Sequence, residues 1–405
     1  MPTVTDDTRP PIRIGFVLAG RMDARERRLV LAAARRLEDD LEGWFPRYAW
    51  EVESRTRADI GEYRREESSE LLRLAAEVRD AEHHDFVVLV TPDELVARYR
   101  TFALAALSRP LDAAVLSIAR LMPDAGRLAS ELPPDAADDT VVDRVATLAM
   151  HALAHLAGER HSADRTALLH RPDAPHDLDR MTRFDEPETA ALDTAFGAVA
   201  DVRLEESSAR PGSRWRFALR AAAINREEIA EAVRAARPWE FPQRLSRLTT
   251  AAVSTLAVLL MTAESWDLGL SQGWGAVSVL ALVVLGATTS SVVHRQQLLL
   301  ERHRQLSEQL VVTRVTAVLI VVAGLATTWL GILALALLAA VTLFDAPLIV
   351  GWAASHELDA SGVGLAPRLR MAMFCASIGL LIGSLGASFE EQHHFRHVIF
   401  VDEEL

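Results

Sequence analysis

The chain has 405 residues and a net charge of −13, from 43 basic and 56 acidic side chains. This balance argues against a general nucleic-acid binder, because phosphate binding needs clustered basic residues. The single cysteine, Cys375, excludes an internal disulfide and any cysteine-based zinc or iron–sulfur site, so a metal site would have to use histidines and carboxylates.

The first part of the chain has the pattern of a mixed sheet with helices. Residues 1–11 are polar, lack the apolar core of a secretory signal and are expected to form a disordered tail. From residue 12, apolar or alternating segments predict strands, and segments with helical spacing predict helices between them. The predicted strands are Ile12–Leu18, Tyr48–Thr56, Phe86–Val90, Phe102–Leu107 and Ala113–Ile118, and the predicted helices are Asp23–Glu42 and Glu66–Asp80.

A further helix is predicted after the acidic, proline-bearing loop Ser130–Asp139, with Thr140 as its cap and its end near Ala157. His151 and His155 are four residues apart in this helix and therefore lie on one face. Gly158 is the expected stop, since glycine accepts the left-handed conformation that turns the chain back. His161 would then return from outside the helix as a third ligand. Three neutral imidazoles leave a fourth zinc position open, as in catalytic zinc sites.

The segment from His151 to His161 resembles the signature of the metzincin zinc peptidases, H-E-x-x-H-x-x-G-x-x-H followed by a methionine turn. The order of the preceding elements is most similar to the archaemetzincin branch. The resemblance covers residues 12–186, and it implies Zn2+ bound by His151, His155 and His161, with Met181 beneath the site. The cysteines typical of archaemetzincins after the third histidine are absent, and Ser162 follows instead.

One position departs from the signature in a way that bears on catalysis. Metzincins have glutamate after the first histidine, and this chain has Ala152. In that family the glutamate moves a proton from water to the leaving amine, and such a general base contributes about 10²–10⁴ in rate. Zinc binding does not need it. The chain is therefore either a natural inactive relative or an inactivated variant of an active peptidase, and the complete set of ligands favours the variant.

The resemblance also implies where a substrate binds. Metzincins hold a peptide as an added strand along the sheet edge above the zinc helix. We expect this edge to come from one of the two strands that precede the helix. The candidate residues are Phe102, Leu104, Leu107, Val115 and Ser117.

Beyond a helical connector at 187–243, predicted as helices Pro187–Ser207 and Arg214–Arg237, the composition becomes apolar. A bilayer core needs about 20 apolar helical residues. The run Val315–Phe344 is longer and is either one tilted helix or a hairpin near Thr327, Thr328 and Gly331. Residues 244–390 are therefore expected to form four or five spans, with a tail at 391–405. The apolar runs are Leu245–Ala263, Trp274–Val293, Val315–Phe344 and Met371–Phe389.

Arginines indicate the orientation of these spans. Arg237, Arg244 and Arg247 precede the first span, whereas the segment Glu264–Gln272 after it has none. Since cytoplasmic loops are enriched in arginine, the N-terminal domain is expected on the cytoplasmic side of the plasma membrane. The loop after the second span agrees, with Arg295, Arg302, Arg304 and Arg314.

The sequence thus predicts an α+β fold: a mixed-sheet, metzincin-like zinc-peptidase domain followed by an α-helical transmembrane domain of four or five spans. We interpret the protein as a membrane-anchored zinc metalloendopeptidase, inactive or nearly so in this chain. Its expected partners are a protein or peptide substrate near the membrane, or the chain itself, the lipid bilayer, and a second copy through the transmembrane domain. The alternative is a natural pseudoprotease, a non-catalytic membrane protein that binds peptides or signals. A transporter is disfavoured because the spans lack paired buried charges.

Overall fold

The structure, a computed structural model, divides into two compact units. The first comprises Met1–Ala235, Leu300–Thr313 and Phe400–Leu405, and the second comprises Ala236–Leu299 and Arg314–Ile399. The residues that the structure describes are 9–57, 65–122, 134–200, 213–296, 298, 308–353, 362–387 and 392–405. Most of the predicted N-terminal tail, the start of the predicted loop Ser130–Asp139 and the end of the predicted helix Pro187–Ser207 lie outside these ranges.

Eight strands occur in the described part of the first unit: β1 (Pro11–Ala19), β2 (Ala49–Arg57), β3 (Arg65–Glu66), β4 (Phe86–Thr91), β5 (Glu94–Leu95), β6 (Ala105–Ser108), β7 (Ala113–Ser117) and β8 (Glu403–Glu404). Six of them form one sheet in the order β2-β1-β4-β7-β6-β8, and β3 pairs with β5 separately. The pairs from β2 to β7 are parallel, whereas β6 runs antiparallel to both β7 and β8. The sheet is therefore mixed, as predicted.

The described helices of the first unit are α1 (Ala24–Trp44), α2 (Ser68–Glu82), α3 (Pro134–Leu156), α4 (Glu186–Val199), α5 (Ser213–Ile224) and α6 (Arg226–Ala235). Asp23 and Glu26 begin α1 with a capping box, in which each side chain accepts from the other's backbone N–H. Side chains of α1 and α3 share one apolar cluster with alternate residues of β1, such as Ile14 and Phe16. The period of two along the strand thus directs one face of the sheet toward α1 and α3.

The helix that carries the histidines is longer than predicted. Pro134 begins α3, so Thr140 lies inside it and is not its cap, and most of the predicted loop Ser130–Asp139 is helical. Proline suits a first helical turn, where its missing N–H has no partner to lose. The predicted helix Arg214–Arg237 is also two helices, α5 and α6, separated at Asn225.

The second unit is helical. Its described helices are α7 (Phe241–Arg244), α8 (Ser246–Leu260), α9 (Ala263–Ser271), α10 (Trp274–Arg295), α11 (Glu308–Thr342, which begins in the first unit), α12 (Ala346–Trp352), α13 (Leu365–Ala387) and α14 (Gln392–Phe400). Gly379 and Gly383 of α13 face α8, where an added Cβ on Gly383 would lie 2.9 Å from the carbonyl oxygen of Leu248. Small residues therefore let these two helices pack closely.

By length and composition, three helices in the described residues can cross a bilayer: Trp274–Arg295, Leu310–Thr342 and Leu365–Leu385. A bent pair, α8 and α9, counts as a fourth if it is one broken span, because the two meet at 90°. The run Val315–Phe344 lies in one continuous helix up to Thr342, so the hairpin near Thr327, and with it a fifth span, is wrong.

Candidate metal centre

The centre is built on the C-terminal end of α3. His151 and His155, one turn apart, are both buried, and their ring centroids are 4.5 Å apart. Ala152, which directly follows His151, is fully buried and belongs to the apolar cluster around α1 and α3. The helix therefore brings two imidazoles to one place, while the next position holds only a methyl group.

The chain leaves the helix through a glycine turn. Gly158 has φ +111°, a conformation that residues with a side chain rarely adopt. The N–H of Gly158 donates to the carbonyl of His155 at 3.0 Å, and that of Glu159 donates to Ala154 at 3.1 Å. This turn returns His161 to the helix end, with its ring centroid 4.3 Å from that of His155. One ligand atom from each of the three histidines lies within 4.8 Å of the others.

Hydrogen bonding sets the tautomer of His151. Its Nδ1 lies 2.6 Å from the carbonyl oxygen of Leu168. A carbonyl oxygen can only accept, so Nδ1 donates and Nε2 is left with a free lone pair. The Nε2 atoms of His151, His155 and His161 are buried, and none has a hydrogen-bond partner among the described residues. Buried polar atoms are normally paired, so three neighbouring exceptions indicate a missing partner.

Burial also keeps these imidazoles neutral. Desolvation lowers the pKa of His151 to about 3, although the bond to Leu168 acts in the opposite direction. Desolvation, with a smaller contribution from the other two imidazoles, lowers the pKa of His155 to about 2. Desolvation and the charge of Arg171 lower the pKa of His161 to about 4. All three are therefore in the form that ligates metal at neutral pH.

A carboxylate from the other end of the sequence lies beside the histidines. Glu403 Oε1 of β8 is 3.5 Å from His161 Nδ1. Glu403 lies in the predicted tail 391–405, and its part in the site was not predicted because nothing local in the sequence connects it with His161. A carboxylate at the second nitrogen of a metal-binding imidazole holds the ring's orientation and tautomer.

Met181 follows a short 3-10 helix, Pro175–Arg180, and is buried. Its backbone N–H donates to Leu178, and its side chain belongs to the cluster that also contains Leu168. The position of Met181 beneath the three histidines stays a prediction.

The predicted substrate edge differs from the structure. Val115 and Ser117 lie in β7, which is paired with β4 on one side and β6 on the other, so β7 is no edge. Leu107 lies in β6, and Phe102 and Leu104 precede it; β6 has β7 on one side and β8 on the other. The expectation of an open edge is therefore wrong here, because the last residues of the sequence pair with the strand that would otherwise provide it.

No protein-family model and no curated protein sequence matches the chain. Solved structures similar to it include an archaemetzincin from Methanopyrus kandleri, with 20% identity over 46% of this chain and 97% of that chain, and a TM-score of 0.34. A zinc-dependent peptidase from Methanocorpusculum labreanum is 16% identical over 44% of this chain and 99% of that chain, with a TM-score of 0.34. An archaemetzincin from Archaeoglobus fulgidus, complexed with malonate, is 18% identical over 44% of this chain and 99% of that chain, with a TM-score of 0.33. The geometry of the three histidines, rather than this likeness, indicates a function.

Proposed function

We propose that the first unit is a zinc-binding domain of the metallopeptidase type and that the second unit anchors it to a membrane. The observation that carries this proposal is the convergence of three buried, neutral imidazoles whose Nε2 atoms have no partner among the described residues. Three histidines with an open fourth position are the donor set of catalytic zinc sites.

Each ligand has its own support in the chain. The carbonyl of Leu168 fixes His151, and a hydrogen bond with the main chain of Glu159 holds His155. The glycine turn delivers His161, and the carboxylate of Glu403 lies at its second nitrogen. A zinc ion held by these three residues would supply a Lewis acid for a peptide carbonyl and would lower the pKa of water.

Proton transfer is the function that this chain lacks at position 152. A methyl group can neither accept a proton from water nor give one to a leaving amine. Loss of such a group lowers the rate by about 10²–10⁴, so we expect this chain to bind zinc and to cleave peptides slowly or not at all. The intact ligand set favours an inactivated variant of an active peptidase over a natural inactive relative.

The second candidate is a natural pseudoprotease, a membrane-bound protein that binds peptides or signals without cleaving them. Ala152 favours it, because the residue is fully buried among apolar neighbours and fits its surroundings as alanine. A glutamate at this position would have to turn out of the cluster.

The metal proposal is tested by zinc analysis of the purified full chain. We expect about one zinc per chain, lost in His155→Ala, because a site with two histidines binds zinc far more weakly. The matched control is His176→Ala, which removes an exposed imidazole near Asp177. Zinc retained in full by His155→Ala would overturn the assignment.

The catalytic proposal is tested by Ala152→Glu, with Ala152→Gln as a control of similar size that cannot accept a proton. The glutamate form should cleave cellular proteins, or the chain itself, in a zinc-dependent and chelator-sensitive manner, about 10²–10⁴ times faster than the glutamine form. If the glutamate form binds zinc but cleaves nothing, including in detergent-free membranes, the pseudoprotease becomes the better proposal.

A further inference from the structure

The last strand of the sequence lies on the sheet edge next to the histidines. β8 belongs to the first unit and runs antiparallel to β6, with Leu107 opposite Glu403. The main chain on either side of β8 is bonded to β6: Asp402 N–H donates to the carbonyl of Leu107 at 2.9 Å, and Leu405 N–H donates to that of Ala105 at 2.9 Å. This is how an extended peptide adds to an exposed edge.

The acidic side chains of this segment are bound as well as its main chain. Asp402 Oδ2 accepts from the N–H of Arg109 at 2.7 Å. The carboxylate of Glu404 accepts from the N–H groups of Arg98 and Tyr99, each at 2.9 Å. Backbone N–H groups that converge on a carboxylate form a site for an acidic residue, since such charge-assisted bonds are stronger than neutral ones.

The two remaining residues fix the segment toward the centre and the core. Glu403 lies 3.5 Å from His161 Nδ1 and 3.7 Å from Arg171 Nε. Arg171 also donates to the main-chain carbonyl of Glu404 at 3.3 Å. Leu405 is fully buried in the apolar cluster that includes α3. Main chain, acidic side chains and an apolar side chain are thus each recognised by a different part of the first unit.

We propose that Asp402–Leu405 is a tethered peptide ligand. The edge of β6 is then a groove for peptides in which acidic residues are followed by an apolar residue. This inference rests on the proposed function, a zinc-binding domain of the metallopeptidase type, and adds that the segment paired with β6 can be displaced by a peptide. Because the segment is part of the same chain, its effective concentration at the groove is about millimolar, and a separate peptide must compete with it. The chain thus holds its own groove closed, and release of the segment opens it to substrates of like chemistry.

The test measures binding of a fluorescent peptide, Val-Asp-Glu-Glu-Leu, to the full chain and to a chain that lacks residues 402–405. The truncated chain should bind at least about 10-fold more tightly, because the tethered competitor is gone. The neutral peptide Val-Asn-Gln-Gln-Leu should bind the truncated chain at least about 10-fold more weakly than the acidic one, since the backbone sites bind carboxylates. Equal binding to both chains, or equal binding of both peptides, would overturn the proposal.

A second variant guards against misfolding of the truncated chain. Asp402→Ala with Glu404→Ala keeps the strand and Leu405 but removes two anchors, so its peptide affinity should lie between those of the other two chains. Glu227→Ala, an exposed carboxylate of the same unit, is the control and should bind like the full chain. If the double variant also binds like the full chain, the segment is a structural strand and the proposal fails.

Each binding curve is measured with and without added zinc. The hydrogen bonds of β6 need no metal, so a chain that binds the peptide but no zinc would support the groove and overturn the zinc site. A chain that binds zinc but shows no effect of the truncation would support the zinc site and overturn the groove.

Discussion

The turn that carries His161 depends on a glycine, and Gly158→Ala tests how much. Gly158 has φ +111°, and holding a residue with a side chain in such a sparsely populated conformation costs about 1–3 kcal/mol. A Cβ there would also lie 2.8 Å from Arg109 Nη2, whose guanidinium is paired with Glu231 at 3.0 Å. That pair is partly exposed and contributes about 0–1 kcal/mol, and its flexible end can move aside. Most of the expected loss is therefore backbone strain.

Strain at this turn should reach the metal, because His161 follows three residues later. If the chain relieves the strain by moving His161, zinc binding can lose no more than the strain energy of about 1–3 kcal/mol. This loss corresponds to a rise of the zinc Kd by about 5- to 150-fold. We expect Gly158→Ala to lower the free energy of unfolding by about 1–3 kcal/mol and to weaken zinc binding. Chemical unfolding and competition with a chromophoric chelator measure the two effects.

Two companion variants separate the causes. Gly158→Ala in an Arg109→Ala background removes the contact with the guanidinium and should lose almost as much stability as before. Gly43→Ala in α1 meets no atom within 4 Å and should be neutral or stabilising by up to about 1 kcal/mol. If Gly158→Ala unfolds and binds zinc as Gly43→Ala does, the turn does not require glycine.

Three further outcomes are expected. Arg79→Met should lower the free energy of unfolding of the first unit, measured in urea, by about 3–5 kcal/mol, because the buried guanidinium binds Asp112 at 3.0 Å and its loss leaves that charge without this partner. A decrease below about 1 kcal/mol would contradict this expectation. The metal-free chain should lose stability as the pH falls from 6.5 toward 4, because the pKa of His161 is about 4 in the folded chain and the unfolded chain therefore takes up this proton first. In a variant with alanine at all three histidines, the free energy of unfolding should depend less steeply on pH. A cysteine at Ser271 should react with an impermeant maleimide outside intact cells, and one at Ser208 should not; the native Cys375 is buried. The reverse result would overturn the cytoplasmic orientation of the N-terminal domain.

Local patterns in the sequence were sufficient for the elements around the histidines. The spacing of His151 and His155 needs only the helical period, and the positive φ at Gly158 follows from what only glycine tolerates easily. Strands β1, β2, β4 and β7 were predicted to within one residue of their observed bounds, because a buried strand shows its period over a few residues. β6 begins three residues later than the predicted Phe102–Leu107, and β8 was not predicted.

Two predictions failed where local signals compete. Thr140 is a good cap by composition, but Pro134 starts the helix six residues earlier, since proline suits that position equally well. Likewise Thr327 and Gly331 suggested a hairpin inside the long apolar run, yet helix α11 continues through both. A single residue with a weak preference does not end a helix whose neighbours all favour it.

The tertiary structure alone decided what lies on the open edge of the sheet. Any strand with unpaired N–H and C=O groups can accept a partner, and nothing in the sequence of β6 says which segment that will be. The partner is β8, from the far end of the chain, and with it Glu403 comes to lie beside His161. Pairing between segments so distant in sequence leaves no local period to detect, because it depends on how the chain between them folds. The sequence therefore determined the three histidines, and the tertiary structure determined which carboxylate and which peptide strand lie against them.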